Sequence, residues 1–451
     1  MKSATRVASA VQNWFDSSPC QKKYSQDDWT VLSGVVLQYP LFESEQYGFR
    51  VLACATGSKC VGRDRSDSNG FVVNDCHAEV LARRSFMRFL YHEAMFWISV
   101  SKGGISSELV NNSIFRRNDS NGKLVLKKDY TIHLYISESP CGEASVYPLK
   151  SEVVDKYVAD RIQRNVNNKD MEQTRTKLRK TGAKLCEMNT LGLKSDSNTH
   201  KTQFRTKSGR SDIPLYRQTT SLSCSNKIAK WMILGLQGTL LTDWFDHLYL
   251  SSIVIGQDQL CESIQLQEDA LTQFLKQQDL NNSMKKPISC TVVPSAKYRF
   301  TAHKRTFGAR IASIAVNWTE CESHWQNVLT TMLNIDPFIK KRFLCDTRKE
   351  EVLLAACGIL EGGRYPKTTD VDEKRLRLRR TASRLSKASF FAVWQYLMQT
   401  NKVDSCIEAK KRIWNASEHL SKAQQKYVQM YRSRNGRNLN LDQEGSIDTN
   451  A

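Results

Sequence analysis

The order of apolar segments in the first 140 residues constrains the fold more than any other feature. Two apolar runs, Trp29–Gln38 and Phe49–Ala55, end in turn residues and predict strands. A long helical pattern begins after Asn74 and Asp75, either of which suits an N-cap. Tyr130–Ser137 predicts a third strand, which ends at a Pro-Cys-Gly turn. The order strand, strand, helix, strand therefore predicts an α/β layer architecture.

The remaining periodic segments fit the same architecture. Residues 1–20 predict an amphipathic helix that ends near a Ser-Ser-Pro sequence. Lys227–Leu236 predicts another helix, and Tyr249–Ile255 predicts another strand. No internal repeat is visible, so we expect a single globular unit rather than an array of repeated modules.

Two polar stretches interrupt this pattern. We interpret residues near 160–212 and 320–380 as irregular insertions, the second of which ends in the basic run Lys374–Arg380. Residues 436–451 are polar and predict a disordered tail. The sequence thus predicts one domain over residues 1–435, with both insertions on its surface.

The charge of the chain favours a polyanionic partner. It carries 66 Lys and Arg against 46 Asp and Glu, a formal net charge of +20. Cations that neutralise phosphates release counterions, which favours binding to nucleic acid. A basic protein with no such partner has the same composition, so charge alone leaves both interpretations open and identifies no chemistry.

Composition also limits the compartment. The 13 cysteines are odd in number and follow no regular spacing, which is untypical of a secreted disulfide framework. We expect a reducing compartment, cytoplasm or nucleus. No run of eighteen apolar residues occurs and the N-terminus lacks the apolar core of a signal peptide, so we expect no membrane association. Nothing in the sequence indicates an obligate protein partner.

Three short motifs carry candidate metal ligands. His77 and Glu79 lie at a predicted helix start, Cys141 follows a strand, and Cys224 lies just before another helix. One imidazole and two thiolates would leave a tetrahedral zinc with an open position, where water ionises near neutral pH. Glu79 could then move protons without binding the metal. Residue 144 is alanine, so the Cys-x-x-Cys pattern of short signatures is absent, and spacing alone leaves a structural role for these residues open.

The residues around these motifs resemble the adenosine deaminase domain of enzymes that act on double-stranded RNA and on tRNA. The resemblance runs in the family's order from about residue 29 to 400, and in this family the third ligand lies far downstream, where Cys224 falls. The matching segments are Val31–Val36, Thr56–Cys60, Asn74–Ser85, Ser139–Ala144, Ser221–Trp231, Leu234–Gly238, Ala315–Trp318 and Ala382–Lys387.

The resemblance implies a fold, a reaction and a set of roles. The fold would be a cytidine-deaminase-like mixed sheet flanked by helices, enlarged as in the RNA adenosine deaminase domain. Zinc would bind His77, Cys141 and Cys224, with Glu79 as the proton carrier. Hydroxide would attack C6 of adenine and ammonia would leave, giving inosine. The positions that line the family's nucleotide pocket are Val31, Ser58 and Lys59.

The resemblance also implies a buried 1D-myo-inositol hexakisphosphate. Guanidinium groups suit phosphate oxygens, and buried cations are costly without a counter-charge. The matching positions are Asn74, Arg83, Arg84, Lys227, Lys230, Trp231, Gln237 and Lys387. The family's C-terminal ligands match less well: Tyr427 is a counterpart for a tyrosine, but no tryptophan follows Trp414.

Two features favour the tRNA-acting branch of the family. Only about thirty residues precede the first matching strand, too few for a duplex-binding domain. The segment Arg205–Asp212 also resembles the tRNA-acting branch, with Arg210 where duplex editors have a glutamate. We therefore expect tRNA as the partner and the adenosine 3′ of the anticodon in alanine tRNA as the target. An editor of structured mRNA and an inactive RNA-binding protein are the alternatives.

Overall fold

The computed structural model describes most of the chain outside the polar stretches. The described residues are 2–41, 46–101, 107–155, 184–185, 205–207, 213–278, 288–294, 300, 302–303, 310–320, 350–398, 406, 408–410, 424–425 and 427. Arg210, the segment 321–349 and the predicted tail 436–451 lie outside them.

A mixed sheet of eight strands forms the centre of the described structure. Its order is β12-β11-β8-β2-β3-β14-β15-β16, with β12, β11 and β8 parallel and every other neighbouring pair antiparallel. The strands are β2 (Leu32–Pro40), β3 (Tyr47–Thr56), β8 (Thr131–Ile136), β11 (Ser252–Gly256), β12 (Ser289–Val293), β14 (Ile314–Thr319), β15 (Glu350–Leu354) and β16 (Ile359–Leu360).

Short strand pairs accompany this sheet. The pair β4–β5 leads into the longest helix, and the others are β1–β13, β6–β7 and β9–β10. Their bounds are β1 (Asp28–Trp29), β4 (Ser58–Cys60), β5 (Asp75–His77), β6 (Phe115–Arg117), β7 (Leu124–Leu126), β9 (Lys184–Leu185), β10 (Arg205–Thr206) and β13 (Arg310–Ile311).

The helices lie on both faces of the sheet. Those described are α1 (Lys2–Ser17), α2 (Ala78–Ser101), α3 (Ser107–Asn112), α4 (Cys224–Leu234), α5 (Ile264–Gln278), α6 (Val371–Arg380) and α7 (Lys387–Leu397). Single 3-10 turns occur at Pro19–Lys23, Arg63–Arg65, Glu143–Ser145, Leu215–Arg217 and Thr239–Leu241. Among the described residues, none of the helices has both the length and the apolar character needed to cross a bilayer.

Alternation along the strands divides the core into two layers. Leu134 and Ile136 face the cluster that contains α2, whereas Tyr135 between them faces the cluster that contains α1. This period of two is the one that a sheet buried on both faces requires. α1 approaches so closely that a Cβ at Gly34 would meet Val11 at 2.6 Å. The sheet is therefore sandwiched between α1 on one face and α2 on the other.

The predicted α/β class with a mixed sheet flanked by helices is confirmed. The predicted irregular insertion near 320–380 is wrong for residues 350–354, 359–360 and 371–380, which form β15, β16 and α6. Its polar pattern was misleading because Glu351 lies on the buried face of β15, where it accepts hydrogen bonds from Asn317, Ser383 and Arg384.

Three local predictions also need correction. Neither Asn74 nor Asp75 caps α2, because Asp75 belongs to β5 and the helix begins at Ala78. The prediction of a surface insertion near 160–212 is wrong for residues 205–207, whose backbone pairs with the segment before α4 and whose Lys207 is buried. Cys224 is the first residue of α4 rather than a residue before it, with Ser223 as the N-cap.

Candidate metal centre and active site

Three predicted ligands from distant parts of the chain converge beside the start of α2. His77 ends β5, Cys141 lies in the turn after β8, and Cys224 begins α4. His77 Nδ1 lies 3.9 Å from Cys141 Sγ and 3.5 Å from Cys224 Sγ. All three ligand atoms lie within 4.8 Å of one another, close enough to share one metal ion.

A tight backbone approach holds His77 in place. Gly57 accepts a hydrogen bond at 2.9 Å from the backbone nitrogen of Ala78 and donates one at 3.0 Å to the Val31 carbonyl. Its φ of +143° is a conformation that favours glycine, and a Cβ there would lie 2.0 Å from the Cys76 carbonyl. The next residue, Ser58, pairs with His77 across β4 and β5. This glycine therefore joins the central sheet to the ligand strand.

Glu79 has the properties of a proton carrier. It is the second residue of α2 and is 2% exposed. Its Oε2 is buried without a hydrogen-bond partner among the described residues. Burial, the neighbouring Cys141 and the Glu79 carboxylate together raise the pKa of Cys224, which places Glu79 close to the ligand cluster. Burying a carboxylate oxygen without a hydrogen-bond partner costs free energy, so we infer that Glu79 Oε2 interacts with a reacting group.

Behind the ligands lies a charged cluster that the sequence analysis missed. Lys207 Nζ donates at 2.9 Å to Asp75 Oδ1 and at 2.8 Å to Cys224 Sγ. Lys227 forms an ion pair with the other oxygen of Asp75, and Ser221 Oγ donates to that oxygen at 2.9 Å. Burial opposes ionisation of Asp75, but Lys207 and Lys227 outweigh it and hold its pKa well below the ordinary value. Asp75 is therefore a buried carboxylate.

The electrostatics favour thiolate at Cys141. A hydrogen bond with Cys224, together with Lys207 and His77, holds the pKa of Cys141 well below its ordinary value. The backbone nitrogen of Cys224 also points to Cys141 Sγ at 3.4 Å. One imidazole and two sulfurs form a donor set that fits zinc and leaves one coordination position for substrate or water.

Two of the predicted pocket residues, Ser58 and Lys59, lie on β4 beside His77, and Val31 lies just before β2. Val31 is half-buried against the α2 core cluster, and Lys59 pairs with Cys76 across β4 and β5. Ser58 Oγ is buried without a hydrogen-bond partner among the described residues. The fourth predicted pocket residue, Arg210, lies outside the described residues.

The predicted polyanion ligands lie around α2, α4 and the start of α7. Arg83 Nε donates to the Leu236 carbonyl at 3.0 Å, and its guanidinium lies 5.5 Å from the Trp231 ring centre. Arg84 Nε donates to the Leu385 carbonyl at 2.7 Å, two residues before Lys387. Asn74 Oδ1 is buried without a hydrogen-bond partner among the described residues.

The other members of this set lie on the same elements. Lys227 is bound to Asp75, the residue after Asn74, and Lys230 is half-buried on α4. Gln237 is fully buried just beyond α4, where its side chain accepts from the Leu248 backbone at 3.1 Å. Large polar side chains are also fully buried nearby; they include Arg88, Tyr91 and Tyr427.

Comparison with known proteins identifies the family. The sequence model of the adenosine-deaminase (editase) domain matches residues 53–333, more than half of the chain. The protein belongs to this family. The match includes His77, Glu79, Cys141 and Cys224, so the convergent cluster lies within an adenosine deaminase domain.

Some of the individual relatives are named for tRNA and others for double-stranded RNA. The tRNA-specific adenosine deaminase 1 of Drosophila melanogaster is 31% identical over 264 residues, covering 58% of this chain and 56% of that protein. The human tRNA-specific adenosine deaminase 1 is 27% identical over 318 residues, covering 51% and 61%. The double-stranded RNA-specific adenosine deaminase of Mus musculus is 31% identical over 265 residues, covering 56% and 19%.

The chain spans about a fifth of the length of the mouse relative and somewhat more than half of the length of the tRNA-specific relatives. Similarity at this level assigns the domain to RNA adenosine deaminases. The individual RNA substrate belongs to the proposal that follows.

Proposed function

We propose that the protein is a zinc-dependent deaminase that hydrolyses adenosine to inosine in tRNA, acting on the adenosine 3′ of the anticodon in alanine tRNA. The observation that carries this proposal is the convergence of His77, Cys141 and Cys224 beside a buried Glu79 whose Oε2 has no partner among the described residues. A soft donor set with an adjacent proton carrier suits hydrolytic removal of an exocyclic amine.

Each residue of the cluster has a distinct task in this proposal. When bound, zinc would activate water for attack on the electrophilic C6 of adenine. Glu79 Oε2 would accept the proton of that water and deliver it to the departing amine, which leaves as ammonia. Lys207 donates to Cys224 Sγ at 2.8 Å and so would orient the sulfur of that ligand. Val31 and Ser58 would contact the base.

Charge and the chemistry of the target support tRNA as the substrate. The net charge of +20 suits a polyphosphate backbone, and tRNA-specific relatives match more than half of the chain. A base in an anticodon loop is already partly unstacked, so extracting it needs less energy than extracting a base from a duplex. Arg210, by its place in the sequence, would occupy the space beside the extracted base.

We further propose inositol hexakisphosphate as a buried cofactor. Arg83 donates to the Leu236 carbonyl beyond α4 and lies over the Trp231 ring, and Arg84 donates to the Leu385 carbonyl before α7 and lies over the Phe390 ring. The orphaned Asn74 Oδ1 beside this region would be satisfied by water or by a protonated phosphate oxygen. A multivalent anion would balance these cations and fix α2 relative to α4 and α7.

A second substrate has specific support. The mouse double-stranded RNA-specific relative is as similar to this chain as the Drosophila tRNA-specific one, at 31% identity over almost the same length. Editing of structured mRNA is therefore the competing function, and it would use the same metal ligands and the same glutamate.

One experiment tests the reaction and the substrate together. Purified protein, Glu79→Gln and the surface control Glu152→Gln are assayed on alanine tRNA and on a long RNA duplex, with zinc measured in all three. We expect about one zinc per chain throughout, and deamination by Glu79→Gln at least ~10²-fold below the other two. Normal activity of Glu79→Gln or a lack of zinc in the active protein would refute the mechanism. A preference for the duplex would refute tRNA as the substrate.

A further inference from the structure

The helix α6, Val371–Arg380, is the most basic exposed element in the described structure that the proposed chemistry does not use. It contains five basic and two acidic residues, and only Leu378 among its side chains is buried. Glu373 is paired with Arg377 within the helix, and Asp370 caps its N-terminus. The outward face of α6 is therefore strongly positive.

A small apolar cluster attaches this helix to the candidate active site. Leu378 packs with Val61 and Val72, which lie one residue after β4 and three residues before β5. The Val73 backbone donates at 2.9 Å to the Gly358 carbonyl in the turn between β15 and β16. The helix is thus fixed to the two segments that lead into and out of the strand pair carrying His77.

Aromatic side chains alternate with the cations on this surface. The Arg65 guanidinium lies 5.9 Å from the centre of the Tyr365 ring, and Lys374 Nζ lies 5.7 Å from the same ring centre. Arg364, next to Tyr365, is exposed. Interleaved cations and rings of this kind bind phosphates and stack on unpaired bases.

The surface continues towards the segment that leads to Cys224. The Arg63 backbone donates at 3.2 Å to the Gln218 carbonyl, which joins the turn Arg63–Arg65 to the turn Leu215–Arg217. On that second turn Leu215 is 71% exposed and Tyr216 is 57% exposed. We call the surface formed by these turns, Tyr365 and α6 the α6 surface.

We propose that the α6 surface binds the sugar–phosphate backbone of the RNA substrate outside the target nucleotide. The proposal rests on the proposed function, because it supplies the binding surface for that enzyme's substrate. The positive face of α6 would contact phosphates, and the exposed Tyr216 would stack on an unpaired base. Position follows from attachment, since α6 packs on Val61 and Val72, which flank β4 and β5, and a backbone hydrogen bond joins the two turns.

Charge decides between RNA and a protein partner for this surface. Val371 and Leu376 are exposed, but they are single apolar residues among five cations rather than a continuous apolar stripe. A helix that docks on protein presents apolar residues at positions i, i+3, i+4 and i+7, a pattern that α6 lacks. The basic surface complements a polyanion, and the family of this domain acts on RNA.

The test compares two double neutralisations. Arg364→Gln/Arg375→Gln removes two exposed charges from the α6 surface. Arg116→Gln/Lys128→Gln removes two exposed charges near the distant end of α2, which is 24 residues and so about 36 Å long. Binding of alanine tRNA is titrated between low and moderate salt, and single-turnover deamination is measured at saturating tRNA.

We expect the α6 variant to bind tRNA about tenfold more weakly, with a log–log salt slope smaller by about 2. Its rate at saturation and its zinc content should stay within about twofold of the wild type, and the distant variant should match the wild type. Equal affinity and slope in both variants would refute the proposal, as would a loss of rate at saturation with unchanged binding.

These outcomes stay separate from failure of the proposed function. If the wild type deaminates duplex RNA rather than tRNA, the tRNA assignment is wrong, and the same titration on duplex still decides the role of the α6 surface. If both variants bind RNA like the wild type while the enzyme deaminates tRNA, the proposed function stands and the α6 surface proposal is wrong.

Discussion

Two groups of buried charge lie near the start of α2, and they are balanced in different ways. Around Asp75, the chain supplies both signs, because one carboxylate pairs with Lys207 and Lys227, and Lys207 also donates to the sulfur of Cys224. Around Arg84, the contacts are the Leu385 carbonyl and the Phe390 ring, whose centre lies 5.1 Å away. In the first group the charges compensate one another, whereas the hydrogen-bond and ring contacts described for Arg84 are neutral.

Arg84 and Lys207 illustrate how the two groups differ. Burial lowers the pKa of Arg84 to about 10, although the group stays charged at neutral pH. Lys207 is buried as well, but its pKa is raised well above the ordinary value because Asp75 and the thiols outweigh the cost of burial. At Arg84 the acidic neighbours do not outweigh burial, so this group would gain more from an added anion than Lys207 would.

The largest expected effect comes from breaking the self-neutralised group. Asp75→Asn would leave Lys207 and Lys227 buried without their carboxylate and should lower the free energy of unfolding by about 3–5 kcal/mol. Denaturant unfolding of the zinc-loaded protein measures this change. The matched control is Asp75→Asn/Lys227→Met, which removes one excess cation and should recover part of the loss. A cost below about 1 kcal/mol for Asp75→Asn would show that the group is not coupled as described.

Substitution of Arg84 should have a smaller effect on the free energy of unfolding, and the sign of that effect tests the cofactor proposal. If a polyanion purifies with the protein, Arg84→Met should lower the free energy of unfolding by about 2 kcal/mol and reduce the inositol hexakisphosphate released on denaturation. The control is Arg6→Met, since Arg6 also stacks on a ring, that of Phe49, but at the surface. A variant as stable as the wild type, with equal phosphate content, would contradict the cofactor proposal.

The smallest effect on stability should occur at Ser58. Its Oγ is buried without a described partner, so Ser58→Ala removes an unsatisfied hydroxyl and should change the free energy of unfolding by less than about 1 kcal/mol. Deamination should nevertheless fall if that hydroxyl contacts the base. Ser33→Ala is the opposite control, because Ser33 Oγ donates to the Tyr135 carbonyl at 2.7 Å and its loss should affect stability alone. Full activity of Ser58→Ala would remove Ser58 from the pocket.

The sequence was most informative where local pattern and function coincide. The strands before and after α2 follow from apolar alternation, and His77, Cys141 and Cys224 follow from motifs that include their neighbours. Lys207 was missed because its neighbours are polar and its burial depends on Asp75, which is 132 residues away in the chain. The available signal was that Lys207 lies within the segment Arg205–Asp212, which resembles the family. No local pattern predicts a contact over such a distance.

The strands β15 and β16 were missed for a related reason. Of the five residues in β15, the two that are buried are Glu351 and Leu353. A glutamate on the core side reverses the alternation that predicts a strand, and only its partners Asn317, Ser383 and Arg384 make that burial possible. In both regions a buried charged side chain is compensated by residues far away in the chain, which a local sequence pattern does not reveal.

The wide spacing of the ligands has a consequence for folding. Cys141 lies 64 residues from His77, and Cys224 lies 147 residues from His77. An ion held by all three would close chain loops of those lengths, as a crosslink does, and it would oppose unfolding by restricting the expanded chain. Such distant contacts form late, so the metal could not nucleate folding as it does in a zinc finger. Release of the ion would instead require the opening of elements that belong to the central core.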